Sequence, residues 1–161
     1  MWERPNTVVI TTGHAEGKYK LNAFDNALIN AGIGHLNLIK VSSILPPATK
    51  LLNLEDIIVQ KIIKPANFIP CVLSSLINES PGTKICSSIG VALPQNDSDY
   101  GLIFEHSGAL EKLECEQIVK DMLLNAASIR DISFKTINVY SETHIVIKIG
   151  CTISVALLLQ V

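Results

Sequence analysis

Eight runs along this chain are built to lie in sheets, and only two stretches read as helices. The runs are Thr7 to Thr11, His35 to Val41, Ile57 to Ile63, Phe68 to Ile77, Lys84 to Leu93, Tyr100 to His106, Ser133 to Tyr140 and Ile145 to Leu158. They are rich in β-branched residues or alternate with a period of two, the signature of a pleated, half-buried surface. The first run ends at Gly13 and gives way to a loop, Gly13-His-Ala-Glu-Gly-Lys-Tyr-Lys20. Asn22 then reads as the N-cap of a short helix with Ala23, Phe24, Ala27, Leu28 and Ala31 on one side and Gly32 as its stop. Leu36, Leu38 and Val41 are expected to point inward in the strand that follows, before Pro46 and Pro47 end the pattern. A second helix spans about Ala109 to Ser128, where Leu110, Leu113, Ile118, Met122, Leu123 and Ala126 recur near helical spacing. Glu111, Glu114, Glu116 and Lys120 fall on its water face. Two helices placed irregularly among so many strands exclude regular βαβ winding and predict an α+β layered fold. No repeat or low-complexity linker divides the chain, so residues 1–161 are expected to form one domain.

Charge and composition exclude several function classes. Thirteen Lys plus Arg against fifteen Asp plus Glu give a net charge of -2, which offers no basic field for nucleic acid or an anionic membrane. The chain is 48% hydrophobic with a mean hydropathy of +0.35, so apolar surface is expected to remain on the folded monomer and to be covered by other subunits. The start, MWERPNTVVITTG, has none of the parts of a secretory signal, and the most apolar stretch is short and interrupted by Lys148 and Gly150. A soluble cytoplasmic protein is expected. Cys71, Cys86, Cys115 and Cys151 are widely spaced without a CxxC pair, and the four histidines are scattered, so buried free thiols and no metal site are expected.

Gly13 to Lys18 invites comparison with a phosphate-binding loop, but it is one residue short of the motif and Tyr19 replaces the magnesium-binding hydroxyl. More informative is Asn37-Leu-Ile-Lys-Val-Ser42-Ser43-Ile-Leu-Pro-Pro47, which puts two hydroxyls where an extended strand meets a proline-fixed turn. On the residues alone, these serines either satisfy backbone groups at a strand end or place Ser43 to attack its own peptide bond.

The run LNAFDNALINAGIGHLNLIKVSSILPP, Leu21 to Pro47, resembles the region around the self-cleavage site of pyruvoyl-dependent arginine decarboxylases. Ser88-Ile-Gly-Val-Ala-Leu-Pro94, Gly101-Leu-Ile-Phe-Glu105 and Gly150-Cys151 follow in the order expected of that family. The resemblance implies a four-layer αββα sandwich, trimers with each active site between neighbouring subunits, and cleavage between Ser42 and Ser43 into a β-chain, 1–42, and an α-chain, 43–161. It implies that Ser43 becomes a covalent pyruvoyl group, which forms a Schiff base with the substrate amine and removes any need for pyridoxal phosphate. Glu105 is implied as the acid that protonates the carbon losing CO₂. Asp25 is implied to bind the guanidinium of arginine, Asn37 to position the scissile region or substrate, and Ser42 to supply the carboxylate at the β-chain end. The product is then agmatine.

Taken without the resemblance, Glu105 reads as an exposed strand-end residue, Asp25 as a first-turn helix aspartate favoured by the dipole, and Asn37 as a polar strand residue. The chain departs from the family pattern at Gly17-Lys-Tyr-Lys-Leu21, just before the matching run, and at Ser141-Glu-Thr-His-Ile-Val-Ile-Lys148. Two other readings stay open: a pyruvoyl decarboxylase of another amino acid such as histidine, and an uncleaved trimeric paralogue without catalysis.

Overall fold

A computed structural model describes residues 4–161, and the opening Met1 to Glu3 lies outside the described residues. The elements run β1 (Thr7–Glu16), α1 (Lys20–Asn30), β2 (Asn37–Lys40), β3 (Ile44–Leu45), β4 (Lys50–Leu52), α2 (Ile57–Ile62) and β5 (Phe68–Asn78). They continue with β6 (Lys84–Pro94), β7 (Gly101–Gly108), α3 (Lys112–Arg130), β8 (Phe134–Ile145) and β9 (Gly150–Leu159). One sheet has the order β2-β5-β9-β1-β4, and a second has the order β3-β7-β6-β8.

The sheets face one another across Val8, Leu45, Val72, Ile89, Val91, Ile103 and Ala156. On the outer face of the first sheet, Ala23 and Ala27 of α1 and Val59 of α2 close over Val9, Ile153, Val155 and Leu157. On the outer face of the second, Val119, Leu123 and Ala126 of α3 cover Ala92 and Leu102. The result is the expected αββα sandwich, with apolar residues repeating at period two in the strands and near 3.6 in the helices. Small residues set the approach of α1 to its sheet: a Cβ at Gly13 would meet the Ala27 carbonyl oxygen at 2.5 Å. Gly32 takes φ +77 where α1 stops, as the sequence predicts.

Several local expectations are corrected. Ile57 to Ile63 was expected to be a strand but forms α2, because burial of Val59 and Ile63 with Ile57 and Ile58 exposed is a helical spacing. The expected loop from Gly13 is strand as far as Glu16, because β1 pairs with β9 along its whole length, from Thr7↔Leu159 to Glu16↔Gly150. Asn22 is not the cap of α1, which begins at Lys20 after Tyr19 without a side-chain cap. The run Ile145 to Leu158 breaks into the end of β8, a turn, and β9. Leu113 is 80% exposed at the first turn of α3 rather than on its core face. The four cysteines are free and buried, as expected. Among the described residues no helix is long and apolar enough to cross a membrane.

Glu16, the residue just before the first departing segment, reaches the second at the end of β1. Glu16 accepts hydrogen bonds from the Ile147, Lys148 and Ile149 amides, at 2.9, 2.8 and 2.9 Å, and its Oε1 lies 2.6 Å from His144 Nε2. The His144 ring stacks on His14, with centroids 5.0 Å apart, and His14 Nδ1 lies 3.1 Å from Glu142. Burial pushes the Glu16 carboxyl up, but the bonds from Ile147, His144, Lys148 and Ile149 outweigh it and bring it to about 2 from the usual 4.5. A depressed carboxyl stabilises the fold above its unfolded value and loses that contribution as pH falls towards 2. Glu16→Gln is expected to cost about 1–2 kcal/mol at pH 7. In urea melts the gap from the unsubstituted protein should shrink below about pH 4, and an equal gap at both ends of that range would refute the assignment.

Candidate active site

The Ser42–Ser43 bond lies where the backbone crosses from one sheet to the other. β2 belongs to the first sheet, where it pairs in parallel with β5, and β3 belongs to the second, where it pairs with β7. Just past β2, the Val41 amide donates to the Cys71 carbonyl at 3.0 Å. Just before β3, the Ser43 carbonyl accepts from the Ile103 amide at 2.8 Å. The Ser42–Ser43 bond is therefore suspended between an anchor in each sheet, with Ser42 alone between them. Pro46 and Pro47 then stop β3 after two residues.

Neither serine hydroxyl has a hydrogen-bond partner among the described residues, so the strand-end capping reading is not what the geometry shows. Ser42 opens onto a cleft of about 530 Å³ lined mainly by apolar groups, among them Val41, Ile44, Phe68, Pro70 and Leu158. Ser43 is half-buried. A free hydroxyl next to a carbonyl held between two fixed points is what an intramolecular acyl shift requires.

Glu105 stands two residues beyond Ile103 in β7, and so on the same face of that strand, directed between the sheets. It is not the exposed strand-end residue that the bare sequence allows: it is half-buried in mid-strand. Burial raises its pKa and the Lys40 ammonium partly offsets that rise, so the carboxyl keeps its proton to higher pH than an exposed glutamate. Glu105 and Lys40 line a small polar cleft of about 320 Å³ with Ser74, Ser75 and Ser107. Ser74 donates to the His106 carbonyl at 2.8 Å and Ser107 to the Ser75 carbonyl at 3.1 Å, fastening β5 to β7 beside the carboxyl. The part played by Lys40 is not visible in the sequence, since only the fold brings β2 beside Glu105.

Asp25 and Asn37 are not brought to this place within one protomer. Asp25 is exposed on the second turn of α1, beyond the reach of a first-turn dipole effect, and no hydrogen bond or ion pair to its carboxylate exists among the described residues. Asn37 opens β2 at the opposite end from the serines, where its amide donates to the Ala66 carbonyl at 2.9 Å. Both side chains are exposed. Among the described residues no group of three or more His, Cys, Asp or Glu is arranged to hold a metal ion.

The profile of the family described as pyruvoyl-dependent arginine decarboxylase (PvlArgDC) matches residues 7–160. A relative from Methanocaldococcus jannaschii, named pyruvoyl-dependent arginine decarboxylase, is 37% identical over 154 residues, covering 96% of this chain and 90% of its own. One of the same name from Methanothermobacter thermautotrophicus is 39% identical over 156 residues, covering 95% and 96%. Among solved structures, a pyruvoyl-dependent histidine decarboxylase at pH 8 superposes with a TM-score of 0.52 at 21% identity, over 61% of this chain and 53% of that one. That likeness is one of fold.

Proposed function

We propose, from the premise that the chain belongs to the pyruvoyl-dependent arginine decarboxylase family, that it cleaves itself at Ser42–Ser43 and converts L-arginine to agmatine and CO₂. The observation that carries this reading is the suspended serine pair, whose hydroxyls make no hydrogen bond among the described residues and whose Ser43 carbonyl is bonded to the Ile103 amide of β7, the strand that carries the half-buried Glu105.

The first step uses only this chain's own atoms. Ser43 Oγ attacks the Ser42 carbonyl carbon, the peptide C–N bond breaks, and the amide becomes an ester with a free Ser43 amine. Loss of the Ser43 α-proton then expels the Ser42 carboxylate, leaving a dehydroalanine at 43. Water replaces its nitrogen, which departs as ammonia, and residue 43 ends as a pyruvoyl group. The residues present fit that product, since the Ile103 amide already holds the carbonyl of residue 43 and Ser42 opens onto a cleft. Once formed, the group supplies a ketone for Schiff-base formation with the substrate amine and a conjugated carbonyl that takes up electrons as CO₂ leaves.

Glu105 delivers the proton to the carbon that lost CO₂, a task suited to a carboxyl whose burial keeps it protonated. Ser42, as the new chain end, offers a carboxylate at the apolar cleft onto which it opens. Asp25 provides the planar carboxylate that a guanidinium pairs with in bidentate fashion, and Asn37 orients the far end of the substrate. Both act on a neighbouring protomer's site, which makes a homotrimer the working unit. Exposed Tyr19, Leu21, Ile29 and Phe68 give such an assembly apolar surface to cover.

Intact mass under denaturing conditions, followed by CO₂ release from a panel of amino acids, tests the proposal. Expected are two fragments meeting between residues 42 and 43, a blocked α-chain terminus, and release from arginine well above that from histidine, lysine or ornithine. A single full-length chain that persists on incubation would overturn the reading. Faster release from histidine would keep the chemistry and change the substrate.

A further inference from the structure

The polar cleft lined by Glu105 contains a second charged group with no role in the scheme above. Lys40 ends β2 three residues before Ser43, and the Val41 amide bonded to Cys71 fixes the backbone from which its side chain springs. Lys40 is exposed at the end of β2 and lines the same small cleft as Glu105, yet the two do not form an ion pair within 4.0 Å. We propose that Lys40 is a positioning residue of this site, its ammonium at the mouth of the cleft setting the pH range over which Glu105 carries a deliverable proton. The inference rests on Glu105 acting as the acid.

The separation matters to the chemistry. A lysine in direct contact would hold Glu105 as a carboxylate, with no proton to give. With no cation nearby, burial would hold the proton so tightly that delivery to carbon would slow. An ammonium across a cleft leaves the carboxyl between these limits. The other groups around Glu105 do not compete. From β5, the Ser74 hydroxyl is already committed to the His106 carbonyl, and Ser107 of β7 is committed to Ser75. From β6, Ile89 pairs opposite Glu105, with Tyr140 of β8 beyond it. His106 adjoins Glu105 in sequence, and strand alternation turns its ring to the other face of β7. Cleavage adds one more charge, the Ser42 carboxylate two residues from Lys40. That anion would raise the Glu105 pKa further, so the effect of losing Lys40 keeps its sign.

The test compares the unsubstituted protein with Lys40→Met and Lys40→Arg, each checked for cleavage by intact mass. The alkaline limb of the kcat profile for arginine should move up by about half to one pH unit in Lys40→Met and stay in place in Lys40→Arg. Infrared titration of the Glu105 carboxyl, isolated by subtracting the spectrum of Glu105→Gln, should show the same upward shift in the purified full chain without requiring turnover. An unmoved limb and an unmoved carboxyl titration in Lys40→Met, with arginine still turned over, would overturn the inference alone. If arginine is not turned over by the unsubstituted protein, the proposed function fails, and the infrared titration decides the question for Lys40.

Discussion

Ser43→Ala is expected to remain one chain of 161 residues indefinitely and to lose arginine decarboxylation by on the order of 10⁴-fold or more. The substitution removes the single oxygen that can attack the Ser42 carbonyl, and with it the source of the ketone. It should leave the fold intact, because the Ser43 hydroxyl makes no hydrogen bond among the described residues and its carbonyl remains bonded to the Ile103 amide. Intact mass and a thermal melt read the two halves of this prediction. Cleavage persisting in Ser43→Ala would mean that another group cuts the chain. A melt lowered by many degrees would mean that the hydroxyl has a structural task that the geometry does not show.

Glu105→Gln separates the acid from the maturation. Its amide fits the same space but has no acidic proton, so cleavage at Ser42–Ser43 should proceed while kcat for arginine falls by about 10²–10⁴-fold, the usual contribution of a positioned general acid. The pH profile should change shape as well. In the unsubstituted enzyme, activity is expected to decline as pH rises through the raised Glu105 pKa, the protonated form being the one proposed to act. In Glu105→Gln that limb should vanish. Full activity in the variant would remove Glu105 from the mechanism, and failure to cleave would place it in maturation instead.

Some of this architecture is legible in the residues and some is not, for reasons that differ by element. The α1 stripe of Ala23, Ala27 and Ala31 reads correctly because a long-period pattern survives whatever it packs against. Ile57 to Ile63 reads wrongly because seven mostly aliphatic residues satisfy a strand and a short helix equally, and only the neighbours of Val59 and Ile63 decide. The extension of β1 through His14 and Glu16 depends on β9, more than 130 residues away in the sequence, and no local signal contains it. The candidate site divides in the same way. The serine pair and Glu105 are pointed to by the family resemblance of the segments that carry them, since the residue types alone leave the serines ambiguous and make Glu105 an exposed strand-end residue. That Glu105 and Lys40 line one cleft emerges only once the fold brings the end of β2 beside β7.

The crossing of the chain between sheets also decides what a cut at residue 42 would do to the molecule as a physical object. The piece ending there would keep β1, α1 and β2, and β1 is an interior strand flanked by β9 and β4 of the other piece. The smaller fragment is thus woven into its host and cannot leave without dismantling a five-stranded sheet. Before the cut, refolding is a search by one chain, independent of concentration. Afterwards it is an encounter between two molecules, slower on dilution, and the bond that once held them together does not reform. The mature protein would be stable chiefly because it is slow to come apart, having folded once with a tether that it then discards.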